Sequence, residues 1–169
     1  MNRVSITEVT QPSELETARS LFQEYAACLG DDVCLQGFGK ELAGLPGQYA
    51  RPHGRLLLAS VHDQMAGCVA LRRLEPEVCE MKRLYVRPEY RGLGVGRELT
   101  QTITTESRAA GYRRLRLDTL PSMMSALALY RRLGFREIPP YGDNRVEGAV
   151  YLELQLDRPS PAGPSPIGE

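Results

Sequence analysis

One continuous stretch, residues 80–97, constrains the fold more than any other part of the chain. It begins with aromatic and β-branched residues that favour a strand, and Pro88 ends that strand because proline offers no N–H group to a ladder. Glycines at 92, 94 and 96 follow. Without a Cβ atom these residues permit a tight turn that brings backbone N–H groups close to a ligand. The stretch predicts a strand, a glycine-rich turn and the start of a helix.

The predicted helix begins at Val95, where apolar residues start to recur at helical spacing, and Gly111 marks its end. No Ser, Thr, Asp or Asn stands where it could cap the free N–H groups of the first turn. Bare N–H groups at the positive end of a helix dipole form an anion site. Arg91 and Arg97 flank this site. We therefore expect the loop to bind a phosphate group.

Two familiar phosphate-binding motifs fit the same stretch less well. A P-loop requires a Gly-Lys-Ser/Thr sequence, which is missing here. The dinucleotide motif G-x-G-x-x-G begins at Gly92, but Arg97 stands where a third glycine lets helix and strand pack closely. Asp118, near the end of the next predicted strand, keeps this alternative open. A tight turn with no ligand is a third interpretation.

The length of 169 residues indicates one domain, which we place at residues 1–156. We expect a disordered tail rich in proline and glycine at 157–169. Basic and acidic residues balance at 21 each, so we expect no bulk attraction to nucleic acid or to a membrane surface. No apolar leader stands near the N-terminus, and no apolar run has transmembrane length. We expect a cytoplasmic protein.

The cysteines show no CxxC spacing and the chain has two histidines, so we expect no metal site. Cys68 and Cys79 lie in apolar strand contexts, where a buried thiol is the simplest interpretation. A nucleophilic cysteine is the alternative.

Elsewhere in the chain the patterns predict alternating types of element. The predicted strands are 4–9, 55–61, 65–73, 80–87, 112–118, 135–138 and 146–156, and the predicted helices begin near 12, 38, 95 and 121. Several antiparallel strands precede the glycine loop, which argues against a doubly wound dinucleotide fold. Strand 112–118 must run parallel to the central strand because a helix connects them. In the irregular segment 34–52, Phe38 and Tyr49 are expected to pin the loop onto the core, although its aromatic and charged residues could instead line a pocket.

Two motifs resemble those of a known family. Arg91-x-x-Gly94-x-Gly96 resembles the Q/R-x-x-G-x-G/A signature of the GCN5-related N-acetyltransferases, the GNAT family. Residues 129–135 read Leu-Tyr-Arg-Arg-Leu-Gly-Phe and are similar to the family's L-Y-x-x-L-G-F segment. The likeness covers about residues 56–156. It implies an α/β (mixed α+β) GNAT fold, with a central sheet of about seven strands, splayed parallel central strands and about four flanking helices.

The resemblance also implies a cofactor, acetyl-coenzyme A, bound where the central strands separate. Its pantetheine arm would bind the backbone of Leu84, Tyr85 and Val86. Its pyrophosphate would bind the N–H groups of the loop residues Arg91, Gly92, Leu93, Gly94, Val95, Gly96 and Arg97. Many members carry a cofactor-contacting asparagine seven residues before the family tyrosine, and Met123 occupies that position here.

By the same resemblance, Tyr130 corresponds to the tyrosine that protonates the departing thiolate, and Glu80 is the candidate base for the attacking amine. Each residue also has a simpler interpretation. Tyr130 lies on the apolar stripe of its predicted helix and could be a core residue. Glu80 could form a salt bridge with Lys82 or Arg83.

The substrate side is marked less clearly. Arg72, Lys82 and Arg83 could bind a substrate carboxylate, or they could form a solvated face. Tyr141 and Asn144 lie in the last predicted loop, which can reach the acceptor. We expect a small amine or amino-acid-like acceptor, with a protein lysine or N-terminus as the alternative. A non-catalytic acyl-CoA sensor and a nucleotide-binding protein remain further alternatives, and a homodimer is possible.

Overall fold

The computed structural model describes residues 3–29, 37–142 and 146–156. The predicted tail at 157–169 and Asn144 therefore lie outside the described residues. The strands are β1 Val4–Glu8, β2 Arg55–Val61, β3 Gln64–Glu75, β4 Val78–Val86, β5 Arg114–Thr119, β6 Arg136–Ile138 and β7 Val150–Gln155. The α-helices are α1 Pro12–Leu29, α2 Phe38–Ala43, α3 Val95–Ala109 and α4 Met124–Arg132. No helix within these ranges is long and apolar enough to cross a membrane.

Within the described residues the strands form a seven-stranded sheet in the order β1-β2-β3-β4-β5-β7-β6. The pairs along β1 to β4 are antiparallel, and β4 and β5 are parallel. Helix α3 connects this parallel pair, as the connection rule requires. The predictions of a mixed sheet, an antiparallel meander before the glycine loop and four flanking helices are confirmed.

Both faces of the sheet are covered by apolar residues. One cluster includes Leu57 and Val61 of β2 together with Leu99 and Ile103 of α3. The other includes Leu58, which points to the opposite face and packs with residues of α1. Burial on both faces explains why β2 reads as an almost continuous apolar run, because neither side of the strand needs polar residues. Each large side chain buried in this way contributes roughly 1.5–3 kcal/mol.

Two predicted boundaries are wrong. The last strand begins at Val150 and not at 146, because the chain turns there: the Ala149 N–H donates to the Val146 carbonyl at 3.1 Å, and Gly148 has a φ of 79°. The last helix begins at Met124 and not near 121, since the preceding residues form a turn closed from Met123 to Leu120 at 3.0 Å.

The two parallel strands separate at their carboxyl ends. Strand β4 pairs with β5 only where residues 78–80 face residues 114–116. Beyond Glu80, β4 continues to Val86 beside β3, while β5 continues to Thr119 beside β7. The splayed central strands predicted from the resemblance are confirmed. We call the gap between 81–86 and 117–119 the cleft.

Candidate active site

Strand β4 carries a bulge where it borders the cleft. Lys82 pairs with Ala70 and Tyr85 with Cys68, so two residues of β4, Arg83 and Leu84, face a single residue of β3. Arg83 has a φ of 61°, a left-handed conformation that is rare for a residue with a Cβ atom. The bulge interrupts the backbone ladder at the start of the segment predicted to bind pantetheine.

The glycine loop leads into a helix without a capping side chain, as predicted. Helix α3 starts at Val95, and its N-cap residue Gly94 has a φ of 87° and makes no side-chain cap hydrogen bond. The first-turn N–H groups and the positive end of the dipole are thus available to an anion. Arg91 Nε donates to the Val86 carbonyl at 2.9 Å, and its guanidinium lies 6.0 Å from the centre of the Tyr85 ring. Arg91 therefore ties the loop to the end of β4.

The loop residues face two directions. Leu93, Gly94 and Arg97 line an open depression of about 710 Å³ beside Arg3 and Val4 of the N-terminal edge. Gly96 faces inward, where an added Cβ would lie 3.8 Å from a methyl carbon of Val86 and 3.9 Å from one of Leu129. Helix α3 thus meets β4 and α4 closely at Gly96.

Tyr130 has the core position that the apolar stripe predicted, and its role as the acid stays a prediction. Its side chain is buried and its ring centre lies 5.6 Å from that of Phe135, so it is a core residue. Burial, with smaller contributions from Tyr25 and Asp118, raises the pKa of its phenol. The phenol therefore keeps its proton at neutral pH, which is the form that a general acid needs.

Glu80 lies at the base of the cleft and is 3% exposed. One carboxylate oxygen accepts from Arg72 Nε at 2.7 Å, with Lys82 Nζ at 3.9 Å. The other oxygen accepts from the Tyr141 hydroxyl at 2.8 Å. The salt bridge predicted with Lys82 or Arg83 is wrong for Arg83, which pairs with Glu41; it forms chiefly with Arg72, and Lys82 lies at the edge of the contact. Both oxygens of this buried carboxylate thus accept a hydrogen bond from protein side chains.

The structure places Tyr141 beside Glu80 at the base of the cleft, and its role in substrate binding stays a prediction. Its ring packs edge-on against Tyr151 at 5.2 Å between centres, and the Arg116 guanidinium lies 5.2 Å from its centre. Burial and the charge of Glu80 raise the pKa of its phenol. Tyr141 therefore remains a hydrogen-bond donor to Glu80.

Arg83 is placed differently from Arg72 and Lys82, its predicted companions at the substrate side. It forms a bidentate ion pair with Glu41 of α2, with N–O distances of 2.8 and 2.7 Å. We call this contact the Glu41–Arg83 pair. The Tyr49 hydroxyl donates to the same carboxylate at 3.0 Å, and Tyr49 is fully buried. Within the described part of segment 34–52, the expected packing of Tyr49 on the core is thus confirmed, and Glu41 additionally reaches β4.

Asp118 is a further candidate for a site residue. From the sequence it was considered only for the dinucleotide-binding alternative. It lies on the β5 side of the cleft, where its side chain is exposed. Nearby protein atoms nevertheless displace part of the water around its carboxyl group. This loss of hydration raises the pKa of its carboxyl, Lys82 opposes the shift, and Glu80 reinforces it. Its position in the sequence could have indicated a site residue, because it is a carboxylate near the carboxyl end of a strand, where a cleft opens.

Met123 lies at the N-cap of α4. Its sulfur accepts a hydrogen bond from the Thr119 hydroxyl, with 3.3 Å between the oxygen and the sulfur. Its side chain thus contacts the end of β5 at the cleft.

The two strand cysteines are buried thiols. Burial raises the pKa of Cys79 to about 12 and also raises that of Cys68. A thiol nucleophile acts as its thiolate, so these environments oppose a nucleophilic role. Among the described residues, no group of three or more His, Cys, Asp or Glu side chains could hold a metal ion.

Comparison with known proteins decides the family. The sequence model of the Acetyltransferase (GNAT) family matches residues 18–135. The chain belongs to the GNAT acetyltransferase family. An uncharacterised N-acetyltransferase of Schizosaccharomyces pombe is 39% identical over 159 residues, covering 93% of this chain and 98% of the relative. The GNAT protein is an acyl-CoA-dependent N-acetyltransferase.

Solved structures share its fold. A GNAT acetyltransferase of Staphylococcus aureus superposes with a TM-score of 0.75 at 21% identity, covering 92% of this chain and 100% of that one. An acetyltransferase of Salmonella typhimurium, solved with its cofactor acetyl-CoA, gives a TM-score of 0.71 at 17% identity, covering 94% of this chain and 96% of that one.

Proposed function

We propose that this N-acetyltransferase transfers the acetyl group of acetyl-CoA to the amine of a small, amino-acid-like acceptor by direct attack in a ternary complex. The observation that carries the acceptor class is the pairing of opposite charges across the cleft. Lys82 is 24% exposed on β4, and the carboxylate of Asp118 lies within its electrostatic influence on β5. A zwitterionic acceptor can place its ammonium near Asp118 and its carboxylate near Lys82 and Arg72.

The cofactor is proposed to follow β4 toward α3. Its pyrophosphate would bind the uncapped N–H groups that begin at Gly92 and Gly94, since this helix start has no capping side chain. Its pantetheine would run beside Leu84–Val86, next to the bulge. The Salmonella structure of the same fold was solved with acetyl-CoA, which supports the choice of cofactor.

Two proton transfers accompany the reaction. The neutral amine attacks the thioester carbon, a C–N bond forms, and the C–S bond breaks to release coenzyme A. We assign to Tyr130 the protonation of the departing coenzyme A thiolate. Its raised pKa keeps the phenol protonated until that thiolate forms. We assign the ammonium proton to the carboxylates Asp118 and Glu80. Asp118 is the member open to solvent, whereas Glu80 is buried, so its proton would arrive through a water.

Mass spectrometry tests the proposal directly. The protein is incubated with acetyl-CoA and a mixture of amino acids, polyamines, arylalkylamines and short lysine peptides. We expect an amino-acid-like member to gain one acetyl group. The Tyr130→Phe variant serves as the control, because its product should fall while acetyl-CoA still binds.

Other outcomes contradict the proposal in distinct ways. Acetylation of the lysine peptides alone would transfer the assignment to a protein acceptor. Tight acetyl-CoA binding without any product, at concentrations that saturate both partners, would favour the non-catalytic sensor. Preference for NAD or ATP over acetyl-CoA would contradict the proposed cofactor geometry.

A further inference from the structure

The bulge of β4 contains an unusual backbone conformation that needs a stabilising contact. Arg83 has a φ of 61°, a region that residues with a Cβ atom rarely adopt unless their surroundings enforce it. Glycine would adopt this conformation without strain. A position that favours glycine but carries arginine suggests that the arginine side chain itself stabilises the bulge.

The Glu41–Arg83 pair supplies such a contact. Its two N–O distances are 2.8 and 2.7 Å, and the side chains are 11% and 14% exposed. A bidentate pair fixes the orientation of the guanidinium as well as its position. Burial raises the pKa of Glu41, but hydrogen bonding and charge from Arg83 outweigh it and lower the pKa overall. The carboxylate therefore stays ionised at neutral pH.

Further contacts fix both ends of the pair. The buried Tyr49 hydroxyl donates to Glu41 at 3.0 Å, which orients the carboxylate. The Arg83 guanidinium also lies 5.4 Å from the centre of the Phe38 ring. At the bulge itself, the Cys68 thiol donates to the Arg83 carbonyl at 3.4 Å. The arginine is thus bound through its side chain by α2 and through its backbone by β3.

We propose that Glu41 is a positioning residue that stabilises the β4 bulge through Arg83 and thereby shapes the backbone that meets acetyl-CoA. The inference rests on the proposed course of the cofactor beside Leu84–Val86. It assigns Arg83 a role in backbone geometry, and it couples α2 to the cleft although α2 contributes no residue to the glycine loop.

Two substitutions of Arg83 separate this role from substrate binding. Both Arg83→Ala and Arg83→Gly remove the guanidinium, but only glycine accepts the observed φ without strain. If the pair stabilises the bulge, the alanine variant is impaired more severely than the glycine variant. If the charge of Arg83 binds the substrate or cofactor directly, the two variants are impaired equally.

The experiment measures binding of acetyl-CoA and of coenzyme A by titration calorimetry for Glu41→Gln, Arg83→Ala and Arg83→Gly. We expect Glu41→Gln and Arg83→Ala to weaken acetyl-CoA binding about tenfold more than Arg83→Gly does. In the Arg83→Gly background, adding Glu41→Gln should have no further effect. Glu8→Gln is the matched control, because it breaks a bidentate pair with Arg51 at 2.7 and 2.9 Å, away from the cleft.

A second readout needs no cofactor. The amide NMR shifts of residues 82–85 in the free protein should move in Glu41→Gln, which leaves these residues unmodified, whereas the Glu8→Gln control leaves the shifts unchanged. Equal loss in Arg83→Ala and Arg83→Gly, or a Glu41→Gln variant as unaffected as the control, overturns the inference. Failure of the unmodified protein to bind acetyl-CoA refutes the proposed function instead, and the amide shifts then still decide whether Glu41 stabilises the bulge.

Discussion

At the scale of single residues, Tyr130 offers the cleanest separation of chemistry from packing. Tyr130→Phe keeps the ring that packs against Phe135 at 5.6 Å and removes only the hydroxyl. Because general acids contribute about 10²–10⁴ in rate, we expect kcat to fall about a hundredfold. Acetyl-CoA affinity and thermal stability should change little. Steady-state kinetics and calorimetry check both, and an unchanged kcat would show that another group protonates the thiolate.

The raised pKa of Asp118 predicts how the activity depends on pH. Its carboxyl has a raised pKa because of lost hydration, so it ionises at a higher pH than an exposed aspartate, whose reference value is 3.8. A base must be deprotonated, and activity should therefore rise with pH through this raised pKa. In Asp118→Asn that rise should disappear and kcat should drop. A pH–rate profile of both proteins measures this rise in activity. If the variant shows the same rise with pH, the rise belongs to another group.

The same carboxyl has a linked effect on stability with a defined sign. A raised pKa in the folded state means that ionisation destabilises the fold, so the cost is absent below about pH 3.8 and grows as pH rises through the folded pKa. Relative to the unmodified protein, Asp118→Asn should therefore gain stability at pH 7.5 and not at pH 3.5. Urea unfolding at the two pH values tests this, and an equal gain at both would trace it to packing.

At the scale of elements, the start of α3 distinguishes two of its glycines. An added Cβ at Gly94 meets no atom within 4 Å, but its φ of 87° makes any L-residue strained. Gly94→Ala should lower the free energy of unfolding by about 1–2 kcal/mol. Because the strain moves the N-cap backbone, acetyl-CoA affinity should fall with it. Urea titration and calorimetry measure the two effects.

Gly96→Ala is the comparison for this prediction. Its added Cβ would make only ordinary contacts of 3.8 and 3.9 Å, and its φ is not in the left-handed region. Alanine inside a helix is more favourable than glycine by up to about 1 kcal/mol. Gly96→Ala should therefore be less harmful than Gly94→Ala in both measurements, and the reverse order would place the anion closer to position 96.

Elements also show where sequence reasoning succeeds and where it stops. The strand, loop and helix of residues 80–97 were predictable because local propensity, glycine spacing and the missing cap all point the same way. The turn that delays β7 to Val150 was missed because residues 146–149 contain no strong strand breaker besides Gly148. Boundaries depend on local hydrogen bonds that apolar patterns do not encode.

The candidate site shows the same division. The resemblance assigned Tyr130, Glu80 and the glycine loop to one site, and this assignment stays a prediction; in the structure Glu80 lies where β4 and β5 part and Tyr130 lies in the core beside Phe135. The Glu41–Arg83 pair joins residues 42 positions apart, and the partner of Glu80 is Arg72 on the neighbouring strand. Such pairs depend on strand register and on a bulge, and neither follows from the order of residues in one chain.

At the scale of the whole molecule, cofactor binding should appear as stability. The cleft separates β4 from β5, which pair only where residues 78–80 face 114–116, so a ligand between them adds contacts where the two strands do not pair. Acetyl-CoA at a hundred times its Kd should stabilise the folded state by about 2.7 kcal/mol. For a chain of this length that corresponds to a rise of roughly 5–11 °C in Tm. NAD at the same concentration should produce a smaller shift, because Arg97 occupies the third glycine position of a dinucleotide site. ATP should do so too, because the loop lacks the Gly-Lys-Ser/Thr sequence of a P-loop. Scanning calorimetry with the three ligands measures this, and an equal or larger shift with NAD would place the nucleotide-binding alternative ahead.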